Sequence, residues 1–240
     1  MKAIAFLIFA LILTIGCDEE SVISSDQFES ETEESKVITL VEETNLIVEN
    51  TNGSISVSTS DTARNVSCSI KKKVKSRISE NDAQSSLSRI NITYENISSS
   101  VKIKVNHPNN DDRNYEIGLN IILPDRFNYN LSLGNGTISI ITQTRNLLIS
   151  LGNGSVQTNV TLLDTCFASI SVGNGELNLL VPENTNAMLS ASIGNGVITN
   201  NGLNFQNQMI TDKKFNGILG SGTGQIILSV GNGNITMNKK

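Results

Sequence analysis

The sequence predicts an all-β protein: a parallel β-helix or solenoid of roughly 20-residue repeats with one short helix in its N-terminal half, the alternative being an antiparallel β-sandwich. Three observations carry this. One octapeptide recurs five times, at Leu131–Ile138, Ile149–Val156, Ile170–Leu177, Ala191–Ile198 and Leu228–Ile235, always as apolar–Ser–apolar–Gly-Asn-Gly–any–apolar. Apolar and polar residues alternate on both sides of each triplet, which is the period of a half-buried strand. Turn formers are abundant, with 18 glycines and 31 asparagines, while aromatic residues are only 4% and charged residues 17% of the chain.

The triplets are Gly134-Asn135-Gly136, Gly152-Asn153-Gly154, Gly173-Asn174-Gly175, Gly194-Asn195-Gly196 and Gly231-Asn232-Gly233. Asn-Gly tolerates positive φ, so each reads as a tight turn or a sharp corner. The asparagines step by 18, 21, 21 and 37 residues. Asn216-Gly217 would split the long step, and Asn52-Gly53-Ser54-Ile55 reads as a divergent early copy. In a solenoid like residues stack about 4.8 Å apart, Asn on Asn and Ser on Ser. In a sandwich each Asn-Gly would be a hairpin tip. A hairpin tip has no need of a fixed Ser (Ser132, Ser150, Ser171, Ser192, Ser229) and flanking apolar residues at near-constant phase, so the solenoid is preferred.

Ahead of the repeats the elements follow in order. Lys2 and the apolar run 3–13 have the length of a secretory signal, too short for a bilayer-spanning helix of about 20 residues. Residues 1–16 are therefore expected to be a signal peptide. Thr14-Ile15-Gly16-Cys17 resembles a bacterial lipobox, with Cys17 the lipidation site; two or three acyl chains anchor a protein far more firmly than one. Residues 18–35 carry eight carboxylates and no base, so 17–36 is expected to be an acidic flexible tether. Asp18-Glu19-Glu20 resembles both the export signal of Bacteroidota surface lipoproteins and, through Asp18, an inner-membrane retention signal. The folded part is expected at 37–240, with repeats clearest in 131–240. Strands are expected at 37–49, 54–60, 65–76, near 91–96, 100–106 and 115–123, and a helix at 79–89 with Ser79 as N-cap. Leu123-Pro124 and Val181-Pro182 mark loops, as proline suits a strand end.

These features together resemble the bacterial "putative adhesin" family of envelope β-solenoid proteins, related to the auto-transporter adhesin head (GIN) family. The residues that carry the resemblance are Asn81-Asp82-Ala83 through Ile90, the Leu-Pro and Val-Pro loops, the Asn-Gly-x-Ile corners and the closing stretch Gly217–Ile235. It covers roughly 37–240. It implies a β-helical fold and an envelope location, with some members linked to envelope stress, and brings no catalytic residues.

The chemistry that residue types alone allow is sparse. A net charge of −5 and few aromatics argue against nucleic acid as a partner, and one histidine cannot build a multi-histidine zinc site. From residue 132 onward the carboxylates are Asp164, Glu176, Glu183 and Asp212, at unrelated phases of the repeat, so a carbohydrate-cleaving pair is a remote alternative. His107 reads as a solvent-exposed loop histidine. Asn109, Asn110, Asp111 and Asp112 read as an ordinary acidic loop rather than a calcium site. Lys71, Lys72, Lys73, Lys75 and Arg77 form a basic cluster, read as a charge-guarded strand or else as a face for anionic glycan or lipid headgroups. Cys68 and Cys166 either pair or stay as buried thiols. Asp61-Thr62-Ala63 resembles a Bacteroidota O-glycosylation motif, marking Thr62. No catalytic site, metal or cofactor is expected. The functional expectation is a lipid-anchored envelope protein, in the outer membrane and at the cell surface, acting as a non-catalytic binding or adhesion module for glycans. The alternative is a structural or envelope-stress accessory protein that contacts other envelope proteins.

Overall fold

The computed structural model describes residues 27–108, 112–125 and 127–240; the expected signal peptide, Cys17 and the first part of the expected tether lie outside them. Over the described residues the chain is all-β with one short helix, in a single mixed sheet that does not close on itself.

The corner-bearing strands form the middle of the sheet. β2 (Asn45–Thr59), β7 (Asn128–Val181), β8 (Ala187–Asn201) and β11 (Gly224–Lys239) all run through Gly-Asn-Gly or its Asn-Gly variant without a break. β7 contains three corners in one extended stretch. The buried positions change parity at each corner: in β7 Tyr129, Leu131 and Leu133 face in before the first triplet, Ile138 and Ile140 after it. A strand that bends sharply while keeping its apolar side inward must switch parity in this way. Each rung therefore has two arms that face each other across one continuous core. That layering is what the sandwich alternative requires. The pairing of the arms is nevertheless parallel and in register, Asn52 opposite Asn135, Asn174 opposite Asn232 and Asn232 opposite Asn195, so the Asn-Gly corners are not hairpin tips.

Stacking does not follow chain order. β11, the last strand, lies between the final rung of β7 and β8, pairing with both. Asn216-Gly217 is not a further corner: it sits in β10 (Lys214–Leu219), antiparallel to the first arm of β8. β10 in turn pairs antiparallel with β9 (Gln206–Ile210). Phe205 and Phe215, edge to face with ring centroids 4.7 Å apart, close the core at this end.

At the opposite end two strands share the cover of β2. β5 (Ser100–Asn106) runs along its first arm and β6 (Arg113–Leu123) along its second. β4 (Asn91–Ile97) pairs with β5, and β3 (Val66–Ser76) with β6. Helix α1 (Glu80–Ser86) and a 3-10 turn (Leu87–Arg89) replace the single helix expected over 79–89; Ser79 caps α1, its hydroxyl accepting from the Asp82 amide at 3.1 Å.

The acidic tether is corrected in part. β1 (Phe28–Ile38) takes up residues 28–36 of the segment assigned to it, paired antiparallel with β3 along its whole length. The basic cluster is what holds it: Lys71 meets Glu31 at 2.9 Å, Lys72 meets Glu34 at 2.8 Å, and Lys73 meets Glu29 at 2.6 Å. Composition alone treats the acids as self-repelling, but opposite a lysine strand the same acids gain partners. β3 is consequently an inner strand rather than a guarded edge.

Candidate binding face

The corners explain the uniformity of the sequence. The second glycine of each triplet has φ between +132° and +140°. A Cβ on Gly154 would stand 1.8 Å from the carbonyl oxygen of Gly136, and one on Gly152 would stand 2.4 Å from that of Gly134. Neither glycine tolerates a side chain. The asparagine between them points outward and joins a ladder. Asn195 donates its Nδ2 to Oδ1 of Asn232, Asn232 to Asn174, Asn174 to Asn153, Asn153 to Asn135 and Asn135 to Asn52, each at 2.7 Å. All fifteen corner residues singled out from the sequence thus lie in one column, joined by the early copy at Asn52-Gly53.

The first arms present an outer face of aligned side chains. Ser132, Ser150, Ser171, Ser229 and Ser192 line up in it at the third position before the asparagine, with Glu49 as the first member. Glu49 is neutralised by Lys102 at 2.7 Å, whose proximity holds its carboxyl below the usual range. Seven positions before the ladder asparagine runs another column: Asn45, Asn128, Asn146, Phe167, Gln225 and Met188. Its first members form a second, shorter ladder, Asn128 donating to Asn45 at 3.1 Å and Asn146 to Asn128 at 3.3 Å. Phe167, 37% exposed, follows. A shallow groove of about 240 Å³ lies over this corner of the face, lined by Asn45, Asn128, Asn130 and Asn146 with Ile47 and Leu148. Carboxamides at one-rung spacing, a half-exposed ring and a few aliphatic side chains can hydrogen-bond and stack a flat, neutral, polyhydroxylated ligand. Sequence reasoning passed over Asn45, Asn128, Asn146 and Phe167 because the recurrent octapeptide begins three residues later. Their constant distance of seven residues from the corner asparagine was the available signal.

The remaining singled-out residues do not converge on this face. Thr62 is exposed in a turn, its hydroxyl 3.0 Å from that of Ser60. Cys68 and Cys166 are both free and buried, and burial pushes the Cys68 thiol up to about 12. His107 is not a free loop histidine: it is half-buried, stacked on Tyr115 at 5.1 Å, with Nδ1 donating to the Pro108 carbonyl at 2.9 Å. Asn109, Asn110 and Asp111 lie outside the described residues. Glu183 pairs with Lys239 at 2.5 Å, Asp164 accepts from Asn186 at 3.1 Å and Glu176 from Asn234 at 3.3 Å. No group of three His, Cys, Asp or Glu that could hold a metal occurs among the described residues.

No family model matches the chain, and no curated protein does. Among solved structures the fold is similar to that of a "putative cell adhesion protein" from Clostridium sporogenes, at 16% identity over 88% of this chain and 100% of that one, with a TM-score of 0.56. Two proteins named "putative adhesin", from Parabacteroides merdae and Bacteroides fragilis, align over 87% of this chain at 12% and 8% identity. They cover 78% and 98% of those chains, with TM-scores of 0.23 and 0.25, too low to bear on the architecture. The Clostridium likeness is one of fold alone.

Proposed function

We propose that this chain is a lipid-anchored protein of the bacterial cell envelope that acts as a non-catalytic adhesion module, gripping neutral glycans on the outer face of its first arms. In this reading the corner-bearing strands are the coils of a β-solenoid, Cys17 carries the lipid and the segment after it holds the module off the outer membrane at the cell surface. The observation that carries the reading is the face itself, an array of Ser132, Ser150, Ser171, Ser229 and Ser192 beside the carboxamides of Asn45, Asn128 and Asn146. Beyond Glu49, which is already paired, no charged side chain stands in these columns. A neutral oligosaccharide meets such a face with hydrogen-bonding groups at a regular spacing and loses little desolvation energy to unmatched charge. The cell-adhesion name of the Clostridium fold relative, the lipobox-like sequence and the acidic run after Cys17 agree with it.

The test is binding of the full chain to an array of neutral and acidic oligosaccharides, followed by titration. Neutral glycans are expected to bind, and Phe167→Ala, which removes the one ring on the face, to weaken binding about tenfold, near 1.4 kcal/mol. Absence of binding at millimolar ligand, or binding indifferent to Phe167→Ala and Asn146→Ala, would end the glycan reading. Labelling of intact cells with a probe for this chain tests display separately.

A further inference from the structure

The two ends of the stack are finished differently. At the β2 end both arms are covered, by β5 and β6. At the β8 end only the first arm is covered: β10 pairs with Ala187–Ser192, and the Ile193 amide donates to the Lys213 carbonyl at 2.9 Å. Beyond Ile193 the second arm pairs with β11 on one side through Asn201, and among the described residues no strand pairs with its other side. An arm of a sheet with one open edge is a template for another strand.

The open arm also lacks the devices that usually protect an edge. Gly196–Asn201 reads Gly-Val-Ile-Thr-Asn-Asn, with no charge and no proline. The sheet's other edges are blunted. β1 carries Glu29, Glu31, Glu33, Glu34 and Lys36; β4 is short and carries Glu95; β9 has five residues, a register shift against β10 and Asn207 at φ 51°. Beside the open arm two exposed apolar side chains meet across a hollow: Val197 at 59% and Ile210 at 65%. The hollow, of about 330 Å³, runs between Val197 and Ile198 on one side and Ile210 and Phe215 on the other, with Asp212 and Lys214 on its rim.

We infer that Gly196–Asn201 is the interface of a two-fold homodimer, in which the open arms of two copies pair antiparallel. A second copy is the occupant that the chemistry favours. An uncharged arm meets its own copy without repulsion, and a rim holding both Asp212 and Lys214 is self-complementary across a two-fold axis. Head-to-tail stacking of copies is blocked, because Asn52-Gly53 at the far end is already covered by β6, where a Cβ on Gly53 would stand 2.1 Å from the Ile117 carbonyl oxygen. Pairing through this arm therefore closes at two copies and does not grow into a filament.

Sedimentation velocity on the full chain tests this. The wild type is expected at twice the single-chain mass of 25.9 kDa, and the Val197→Lys/Ile210→Lys double variant at the single-chain mass under the same conditions. Both substituted side chains are exposed, so the far-UV circular dichroism of the wild type is expected to be retained as the dimer is lost. As an independent readout, Thr199→Cys, exposed and next to the two-fold axis of this pairing, is expected to give a disulfide-linked pair on mild oxidation, and Thr62→Cys is not. A wild type that stays single at about 100 μM overturns the proposal, and would leave the arm to a strand from a different protein. A dimer that survives the double variant overturns it as well, by placing the interface elsewhere.

Discussion

At the scale of single residues the geometry separates glycines that look alike in sequence. Gly154 combines φ +132° with a backbone oxygen 1.8 Å from where a Cβ would sit, whereas Gly202, at φ +86°, has only the Lys239 Cβ at 3.7 Å. Gly154→Ala is expected to cost about 3 kcal/mol or more, from combined strain and overlap, and Gly202→Ala about 1–2 kcal/mol; urea denaturation of the two variants measures the difference. A second residue-scale expectation concerns Asp82. Arg113 donates to both its carboxylate oxygens, at 2.8 and 2.6 Å, and Ser76 adds a third bond, holding its pKa down at about 2 against an ordinary 3.8. A carboxyl whose folded pKa is depressed contributes stability in full above its unfolded value and loses it as pH falls through the folded one. The contribution of Asp82 should therefore be complete above about pH 4 and disappear towards pH 2, and the urea midpoint of Asp82→Asn should converge on that of the wild type over that interval. Neither contrast could be read beforehand: the Gly-Asn-Gly recurrence announced corners, but Gly202 sits in an equally plausible Asn-Gly pair, and Asp82 gives no sign in sequence of a partner 31 residues away.

At the scale of elements, local periodicity was a good guide and composition was not. β3, β5 and α1 fall where alternation or capping placed them, because a strand's apolar face and a cap act within a few residues. β1 was missed because its stability lies in β3, some 40 residues away. Its side chains are almost all exposed, so ladder hydrogen bonds and the pairs Lys71–Glu31, Lys72–Glu34 and Lys73–Glu29 are its main attachments. Lysines answer accordingly: Glu29 holds the Lys73 ammonium above its usual pKa, and Glu31 does the same for Lys71. Exposed pairs weaken as salt shortens the screening length to about 3 Å at 1 M. β1 is thus expected to be the first element to open in high salt. A protease that cuts after glutamate should cleave within Phe28–Ile38 several-fold faster at about 1 M than at 0.1 M salt, while β7 stays intact. Equal rates at both concentrations would mean that backbone pairing alone holds the strand. The same locality explains the binding face: the serine column was legible because Ser132 and its counterparts belong to the octapeptide, whereas Phe167 and Asn146 meet only through the stacking of whole rungs.

For the molecule as a whole, the order of the rungs is the feature least accessible to sequence. Asn174 and Asn195 are 21 residues apart, the same step as Asn153 to Asn174, and the links 161–166 and 182–187 have equal lengths. Everything local favours β8 directly upon β7. Instead β11 occupies that place, and the second arms supply the reason. Ile235 and Met237 are wholly buried between two rungs, where β8 would offer Ile198 and Asn200. At the end of the stack Asn200 is free to bond instead with the backbone of Leu203, at 2.9 and 3.1 Å. The more apolar strand goes inside and the strand with a polar residue in the core column goes to the edge. The regular step should still be latent in the sequence. A chain ending at Thr223 loses β11, and stacked repeats depend mainly on nearest neighbours. Docking β8 on β7 would then set Leu189 on Ala168, Ala191 on Ile170 and Ile193 on Val172, an apolar match at every inward position of the first arm. The truncated chain is expected to melt at a lower temperature yet to protect the amides of Ala187–Ile193 from hydrogen exchange, with Asn195→Ala reducing that protection. Exchange of those amides at the rate of an unfolded chain would show that β8 depends on β11 for its place, and that the 21-residue step has no pairing strength of its own.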